Sequence, residues 1–224
     1  MKIPVVRRPI KTLPHARTYE YTLHAAGLGP VAGVDEAGRG ACCGPVTAAA
    51  CILPPGRLPQ LEKLTDSKKL SAATRARLEG VIKNLAVSWA VVHIPAAWID
   101  HHGIQPANLL AMRQAVAKLD RRPGYILSDA MAIPGLTRPH LPMIKGDQVA
   151  RCISAASVLA KVARDRLMGE LDAAYPGYGL AAHKGYGTAA HMAAVSLHGG
   201  TPHHRYTYSN VAAAHRLWLD KQLP

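Results

Sequence analysis

The stretch VAGVDEAGRGACCGPV, Val31 to Val46, brings two adjacent acids and a basic glycine turn to the end of one apolar run. Its apolar start, Val31 to Asp35, predicts a buried strand, and Gly38-Arg39-Gly40 and Gly44-Pro45 are turn signals. The next apolar run, Val46 to Leu53, predicts a second strand that ends at a proline pair. Because the connection is so short, we expect the two strands to form an antiparallel hairpin.

Helical and strand patterns alternate along the rest of the chain. Ser71 is a plausible N-cap for a helix over Ala72 to Leu85, and apolar spacing of three and four residues predicts further helices. Such alternation predicts an α/β domain, and the hairpin start makes its sheet mixed rather than purely parallel. The predicted helices lie near Leu109–Leu119, Ile153–Leu167 and Ala189–Leu197, and the predicted strands at Val87–Ile94, Gly124–Asp129 and Leu141–Lys145.

Charge is the most informative feature of the composition. The chain has 224 residues, enough for one sizeable core, and a formal net charge of +13. Such a surplus favours a polyanionic partner, with nucleic acid first and a membrane surface second. No apolar run is long enough to span a membrane, and the basic arm at residues 1–29 does not resemble a signal peptide because Pro4 and Pro9 break its apolar pieces. We therefore expect a cytoplasmic protein without membrane contact.

The cysteines and histidines show no zinc-finger spacing. The four cysteines form no C-x-x-C pair, so we expect small buried or half-buried thiols in a reducing compartment. Of the twelve histidines, His198, His203 and His204 lie near Arg205, and we expect them on the surface. Three further cations are expected on the polar side of the long helix, either solvated or facing a duplex: Lys161, Arg164 and Arg166.

Acids gather where the predicted strands end. Asp35 and Glu36 end the first strand, Asp129 ends a later one, and Asp147 follows Lys145 closely. Carboxylates brought together repel one another unless a cation lies between them, and hard oxygen ligands favour Mg²⁺ or Mn²⁺. With the basic surface, this pattern suggests two-metal hydrolysis of a phosphodiester. Two alternatives stay open: each acid serves as a turn or cap residue, or strand alternation sends Asp35 and Glu36 to opposite faces.

Six motifs in this order resemble bacterial ribonuclease HII, the type 2 ribonuclease H, from about residue 31 to about residue 205. The first and last are highly specific, whereas the second and the long helix are weak alone. The motifs are GVDEAGRG (33–40), DSKKLS (66–71), LLAMRQAV (109–116), KGD (145–147), ISAASVLAKVARDRLM (153–168) and HKGYGT (183–188).

The resemblance implies a ribonuclease H-like mixed sheet with flanking helices and a helical C-terminal part. It implies cleavage of the RNA strand of RNA–DNA hybrids and nicking of duplex DNA 5′ to embedded single ribonucleotides, with 5′-phosphate and 3′-hydroxyl ends. We expect a monomer that binds Mg²⁺ or Mn²⁺ in a two-metal site. The expected division is a basic arm at 1–29, a catalytic domain at 30–170 and a C-terminal region at 171–224 that completes the substrate site.

The same resemblance implies roles for individual residues. The catalytic and metal-binding acids are expected to be Asp35, Glu36, Asp129 and Asp147, with Asp35 between the two metals. The backbone of Gly38, Arg39 and Gly40 is expected to contact the ribose 2′-hydroxyl, the group that distinguishes RNA from DNA at a site. Tyr186 is expected against the sugar at the RNA–DNA junction. Phosphates are expected to be held by Lys68, Lys69 and Lys184.

The sequence departs from the family pattern at some positions, and three other assignments fit it less well. Ala130-Met131 replaces a common Gly-Asn pair after the third acid, and Gln148 replaces a common Ser. Ribonuclease HIII fits less well, because residues 1–29 are too short for its extra N-terminal domain. A hybrid-binding module that has lost catalysis is disfavoured by the presence of all four acids. A metal phosphatase of small substrates is disfavoured by the +13 charge.

Overall fold

A computed structural model describes residues 16–64, 67 and 70–223. Residues 1–15 of the basic arm, together with Lys68 and Lys69, lie outside the described residues. The predicted roles of these two lysines therefore stay predictions.

A five-stranded mixed sheet forms the centre of the fold, as predicted. Its strand order is β3-β2-β1-β4-β5, so β1 is the middle strand. β1 pairs with β4, and β4 pairs with β5, both in parallel. The strands are β1 (Val31–Ala37), β2 (Val46–Ile52), β3 (Ser88–Ile94), β4 (Tyr125–Asp129) and β5 (His140–Met143).

A helix lies at each of the four predicted positions, although the ends of some of these helices differ from the prediction. Ser71 caps α2 by accepting a hydrogen bond from the Thr74 backbone N–H at 3.2 Å, as expected. Five further helices in the described residues were not predicted, namely α1, α3, α5, α7 and α9. The helices are α1 (Thr18–Ala25), α2 (Ala72–Leu85), α3 (Ala96–His102), α4 (Ile104–Ala117), α5 (Gly146–Val149), α6 (Arg151–Ala174), α7 (Leu180–His183), α8 (Ala189–His198) and α9 (Ser209–Asp220).

One strand also ends differently from the prediction, because β5 ends at Met143 rather than at Lys145. Lys145 has a φ of 54°, in the left-handed region, and that conformation cannot continue a strand. The chain therefore turns at Lys145 and enters α5 at Gly146.

The chain forms two compact units, and neither is one continuous stretch. The first comprises Met1–Glu36, Ala48–Val92 and Met112–Val162, and the second comprises Ala37–Thr47, His93–Ala111 and Ala163–Pro224. The predicted division at residues 29 and 170 stays a prediction. Each unit has an apolar cluster of its own: Val31, Leu127, Met143, Ala150, Cys152 and Ile153 in the first, and Cys43, Met168, Leu171, Tyr178, Leu180, Val195 and Ala214 in the second.

Close approach of β1 to α6 explains one glycine of the opening stretch. A Cβ atom on Gly33 would lie 2.1 Å from the carbonyl carbon of Cys152. Since no side chain fits that gap, glycine is required where the strand that carries Asp35 packs on the helix.

Two expectations from composition can be compared with the structure. All four cysteines are free and buried, as predicted. Among the described residues, no helix combines the length and the apolar character that crossing a membrane demands.

Candidate active site

Asp35 lies near the end of the middle strand and is almost fully buried, with 6% of its surface exposed. The parallel register pairs Val34 of β1 with Ser128 of β4, so Asp35 and Asp129 follow at neighbouring strand ends. The Glu36 backbone N–H donates to Asp35 Oδ1 at 2.7 Å. β1 runs on through Ala37, so the strand does not end between Asp35 and the half-buried Glu36.

The surroundings of Asp35 oppose its negative charge. Burial raises the pKa of Asp35 well above its ordinary value, and the charges of Glu36 and Asp129 raise the pKa further. A hydrogen bond with Ser157 acts in the opposite direction. The Ser157 hydroxyl in turn lies 2.8 Å from the hydroxyl of Ser67. One residue of the DSKKLS motif therefore supports the contact to Asp35.

Asp129 and Asp147 are connected through one backbone amide. The Gly146 N–H donates to Asp129 Oδ1 at 2.7 Å, which ties the end of β4 to the start of α5. Asp147 follows directly and is 8% exposed, and its carbonyl accepts a hydrogen bond from the Ser154 hydroxyl at 2.6 Å. The third and fourth predicted acids are thus held on adjoining pieces of backbone.

The turn after Asp129 forms despite the departure at Ala130. Ala130 has a φ of 52°, a conformation that glycine adopts freely and alanine does not. Its N–H donates to the Met143 carbonyl at 2.9 Å, and the Met131 N–H donates to the Asp129 carbonyl at 2.6 Å. The common glycine of the family is explained by this turn, which alanine adopts under strain.

The carboxylates suit hard divalent cations. Their donor atoms are all oxygens, and a cation would relieve the repulsion that raises the Asp35 pKa. Within the described part of the chain, the acids do not form a group of three whose donor atoms all lie within 4.8 Å of one another. When ligands are distributed over two ions about 3.5–4 Å apart, their donor atoms need not all lie within 4.8 Å of one another.

The glycine turn that follows the acids in sequence belongs to the second unit. Gly38 is buried with a φ of 82°, and a Cβ there would lie 1.8 Å from Arg164 Nε. Arg39 and Gly40 are exposed, and Arg39 Nη2 donates to Gln105 Oε1 at 2.8 Å. Gly38 is therefore required by both its conformation and its neighbour.

Arg205 holds the carbonyl oxygens of this turn. Its Nη2 donates to the Gly38 carbonyl at 2.7 Å and its Nη1 to the Arg39 carbonyl at 2.9 Å. Its Nε donates to the Gly44 carbonyl at 3.1 Å. In a trans peptide the N–H points opposite to the C=O, so the N–H groups of Arg39 and Gly40 point away from the guanidinium. The exposed side of the turn thus presents backbone donors.

Arg164 is fully buried, so the prediction that it is solvated or faces a duplex is wrong. It donates to the carbonyls of Pro45 at 3.0 Å, Cys43 at 3.0 Å and Lys184 at 2.9 Å. Burial and the nearby charge of Arg205 lower the pKa of Arg164 to about 10. Arg164 therefore stays charged at neutral pH while it joins the Cys43–Pro45 backbone to Lys184.

Tyr186 lies beside the glycine turn. A Cβ on Gly40 would lie 4.0 Å from Tyr186 Cε1, and the Arg164 guanidinium lies 5.9 Å from the centre of the Tyr186 ring. The ring is 42% exposed. Lys184, two residues before Tyr186 in the chain, is half-buried and has a φ of 53°. Four of the predicted substrate contacts, the glycine turn and Tyr186, thus gather at one place.

The sequence did not predict the structural roles of Arg164, Arg205 and Ser157. Arg164 follows Ala156 and Ala160 at intervals of four, and this spacing could have placed it on the buried face of α6. The expected surface position of His204 is wrong, because His204 is 1% exposed and Arg205 beside it is fully buried. His198 is exposed and His203 half-buried.

Comparisons with known proteins agree on one family. The family model described as ribonuclease HII matches residues 32–211. Ribonuclease HII of Corynebacterium jeikeium is 66% identical over 201 residues, covering 89% of this chain and 97% of that protein. The crystal structure of ribonuclease H2 from Pyrococcus horikoshii has a TM-score of 0.73 and 25% identity, covering 84% of this chain and 98% of that one.

A further solved structure shows the same fold: Bst-RNase HIII in complex with Mn²⁺, with a TM-score of 0.63, 18% identity and coverage of 84% of this chain and 70% of that one. The predicted membership is therefore confirmed. The chain belongs to the ribonuclease HII family of ribonuclease H hydrolases.

Proposed function

We propose that the protein is a divalent-metal-dependent endoribonuclease for RNA–DNA hybrids. It also nicks duplex DNA on the 5′ side of an embedded single ribonucleotide and leaves 5′-phosphate and 3′-hydroxyl ends. Family membership supports the hydrolysis of RNA in hybrids. The metal requirement and the nicking reaction are supported by the acids and by the glycine turn.

One observation carries the metal requirement most directly. Asp35 is almost fully buried, and its pKa is raised first by burial and then by the charges of Glu36 and Asp129. Structural carboxylates ordinarily acquire a cationic or hydrogen-bonding environment that lowers the pKa. An acid whose surroundings instead raise its pKa is typical of a functional site, where a bound cation supplies the positive charge that stabilises the carboxylate.

The four acids would divide the work by position. Asp35, Glu36, Asp129 and Asp147 would hold Mg²⁺ or Mn²⁺, with Asp35, on the middle strand, as the central ligand. When bound, two such ions activate water and stabilise the charge on the attacking and leaving oxygens. The Gly146 amide fixes the Asp129 carboxylate, and Ser157 fixes Asp35, so neither acid has to reorganise during the reaction.

The glycine turn would recognise the sugar. The N–H groups of Arg39 and Gly40 point away from Arg205, and a close approach of backbone to a ribose 2′-hydroxyl needs such donors without a bulky side chain. Tyr186 would pack on the neighbouring sugar. Ala37 alone separates Glu36 from Gly38 in the chain, so the proposed sugar-recognition turn follows the proposed metal ligands almost directly in sequence.

Lysines and the overall charge would provide affinity without sequence preference. Lys184, Lys68 and Lys69 are proposed to contact phosphates, and the net charge of +13 supports attraction to the duplex. Binding should therefore weaken steeply as the salt concentration rises.

A duplex of DNA with one central ribonucleotide tests the proposal. Purified protein is incubated with this duplex in a series of Mg²⁺, Mn²⁺, Ca²⁺ and chelator, and the product ends are mapped by phosphatase and ligase treatment. We expect cleavage in Mg²⁺ or Mn²⁺ alone. Ligatable 5′-phosphate and 3′-hydroxyl ends are expected because water, rather than the 2′-hydroxyl, attacks the phosphorus.

The matched control is Asp35→Asn, which keeps the size of the side chain and removes its charge. We expect it to bind the duplex at nearly unchanged affinity and to cleave at less than about one hundredth of the original rate. Cleavage in chelator, or products with cyclic 2′,3′-phosphate ends, would contradict the proposal. If the unaltered protein bound the duplex equally well with metal and in chelator but cleaved it with no metal, the hybrid-binding module would be supported instead.

A further inference from the structure

Three histidines surround the turn that carries Tyr186. His191 and His204 are buried, with 0% and 1% of their surfaces exposed, and His183 is half-buried. The rings of His183 and His191 stack with centroids 4.3 Å apart, and those of His191 and His204 lie 5.1 Å apart. None of the catalytic roles above uses them.

Hydrogen-bond partners fix the tautomers of the two buried rings. The Thr201 backbone N–H donates to His204 Nδ1 at 2.9 Å, so that nitrogen accepts and the neutral ring carries its proton on Nε2. His191 Nδ1 lies 2.9 Å from the Tyr186 carbonyl oxygen, which can only accept, so His191 carries its proton on Nδ1. The two Nε2 atoms lie 3.0 Å apart. His204 therefore donates to His191.

The result is a chain of hydrogen bonds with a single direction. It runs from the Thr201 N–H to His204, from His204 to His191, and from His191 to the Tyr186 carbonyl. Every ring nitrogen of both histidines has a partner, and His204 Nδ1 also lies 2.9 Å from the Thr201 hydroxyl. Each ring must also be neutral, because protonation would place a proton on a nitrogen that already accepts one.

The same bonds argue against a metal site here. Cys43, His191 and His204 place one donor atom each within 4.8 Å of one another. Coordination through His204 Nε2 would require removal of the ring proton, since Nδ1 already accepts from Thr201. Burial raises the pKa of the Cys43 thiol to about 12, so no thiolate is available at neutral pH.

His183 fixes the other end of the turn. The Gly185 N–H donates to His183 Nδ1 at 3.2 Å, and His183 Nε2 donates to the Tyr178 carbonyl at 2.8 Å. The Gly185 carbonyl accepts from the backbone N–H groups of Cys42 at 2.7 Å and Cys43 at 3.1 Å. The backbone is thus held from several sides while the Tyr186 ring remains 42% exposed.

We propose that His191 and His204 are positioning residues that fix the Tyr186 backbone and thereby set the preference for a single embedded ribonucleotide over a continuous hybrid. This inference rests on the proposed role of Tyr186. A ring packed on one sugar must be placed within a fraction of an ångström to discriminate the junction. A continuous hybrid offers many cleavage positions and depends less on that contact.

The activity test compares two substrates and two substitutions at His191. Leucine removes both hydrogen bonds, whereas asparagine keeps an N–H donor near the position of Nδ1. We expect His191→Leu to lower kcat/KM on the one-ribonucleotide duplex by about tenfold or more and on a long hybrid by less than about threefold. His191→Asn should recover most of the loss. An equal fall on both substrates would overturn the proposal, because a general loss of folded protein acts on both.

A double-mutant cycle separates positioning from other effects. In a Tyr186→Ala background, His191→Leu should leave the ratio of the two activities unchanged, since the residue it positions is gone. A further fall in the ratio would contradict the inference. If the unaltered protein cleaved neither substrate, the proposed function would fail, and the positioning role would be decided by spectroscopy.

The spectroscopic test needs no activity. Imidazole ¹⁵N spectra at neutral pH should show the proton on Nε2 of His204 and on Nδ1 of His191. With 3-fluorotyrosine incorporated, the ¹⁹F resonance of Tyr186, assigned by Tyr186→Phe, should shift or broaden in His191→Leu and return toward its original position in His191→Asn. Opposite tautomers or an unmoved resonance would overturn the proposal.

Discussion

Arg205 donates a hydrogen bond from Nη2 to the carbonyl oxygen of Gly38 at 2.7 Å, across a sequence separation of 167 residues. Arg205 is fully buried, and its guanidinium donates to backbone carbonyls and to the Tyr208 hydroxyl. By holding the carbonyls inward, it directs the N–H groups of the glycine turn outward. A buried cation thus determines which backbone groups the turn exposes.

Replacement of this cation by lysine should separate charge from geometry. Arg205→Lys keeps the positive charge but cannot donate to three carbonyls in a planar fork, so we expect a loss of about 2–4 kcal/mol in the free energy of unfolding. Nicking at a single ribonucleotide should fall by about 100-fold as the turn loses its shape. Denaturant unfolding and nicking rates measure the two effects. Arg216→Lys, on the exposed side of α9, is the control and should change neither.

Removal of the Asp35 charge should stabilise the metal-free protein at neutral pH. A raised pKa means that the folded protein holds a proton on Asp35 over a pH range where the unfolded chain does not. The stabilisation is present at low pH and is lost as the pH rises through the Asp35 pKa. Asp35→Asn should remove that loss, with about 1.4 kcal/mol for each pKa unit.

Thermal unfolding in chelator and in Mn²⁺ tests this prediction. The unaltered protein should gain stability from Mn²⁺, and Asp35→Asn should be more stable in chelator and gain less from the metal. A variant less stable than the original protein in chelator would show that Asp35 is a structural acid.

Glycine at position 130 should relieve strain beside the third acid. Ala130 has a φ of 52°, so Ala130→Gly should raise the free energy of unfolding by roughly 1 kcal/mol and leave nicking unchanged. Ala73→Gly, at an exposed position of α2, supplies a control of opposite sign, with a loss of roughly 1 kcal/mol from lower helix propensity. A destabilised Ala130→Gly would mean that the turn is not strained.

Acid should weaken the fold through His204. Burial, and then the nearby His191, lower the pKa of His204 from 6.5 to about 4. Between these values the unfolded chain binds a proton that the folded protein does not, so stability falls as the pH drops from 6.5 toward 4, by about 3 kcal/mol. His204→Gln should flatten that part of the pH profile of unfolding. Parallel profiles for the two proteins would contradict the prediction.

Most of the fold follows from apolar periodicity and turn residues. Ser71 and the stripe of α2 set that helix without tertiary information, and the apolar run before Asp35 sets β1. The end of β5 did not follow, because the left-handed conformation of Lys145 is imposed by the turn into α5. α9 was missed although Val211, Ala214 and Trp218 recur at helical spacing, because the glycines, histidines and tyrosines before it suggested an irregular tail.

The acids of the candidate site were predicted from sequence because they lie near the predicted ends of strands and match family motifs. The residues that hold the site were not found. Arg164, Arg205 and His204 are polar residue types that usually lie on the surface, and burial becomes favourable for them only where the fold brings carbonyls or other rings within reach. Pattern reasoning assigns such residues to solvent, whereas their role depends on distant partners.

Under the proposed function, the protein cuts duplex DNA at a single ribonucleotide with the help of a divalent metal that Asp35 binds. The most direct measurement is a single-turnover assay at nucleotide resolution on two duplexes that differ only in one 2′-hydroxyl, with and without Mn²⁺. We predict one cut, immediately 5′ to the ribonucleotide, in the duplex that contains it and only with metal, and none with Asp35→Asn. Cleavage of both duplexes, or cleavage that persists in Asp35→Asn, would contradict the account.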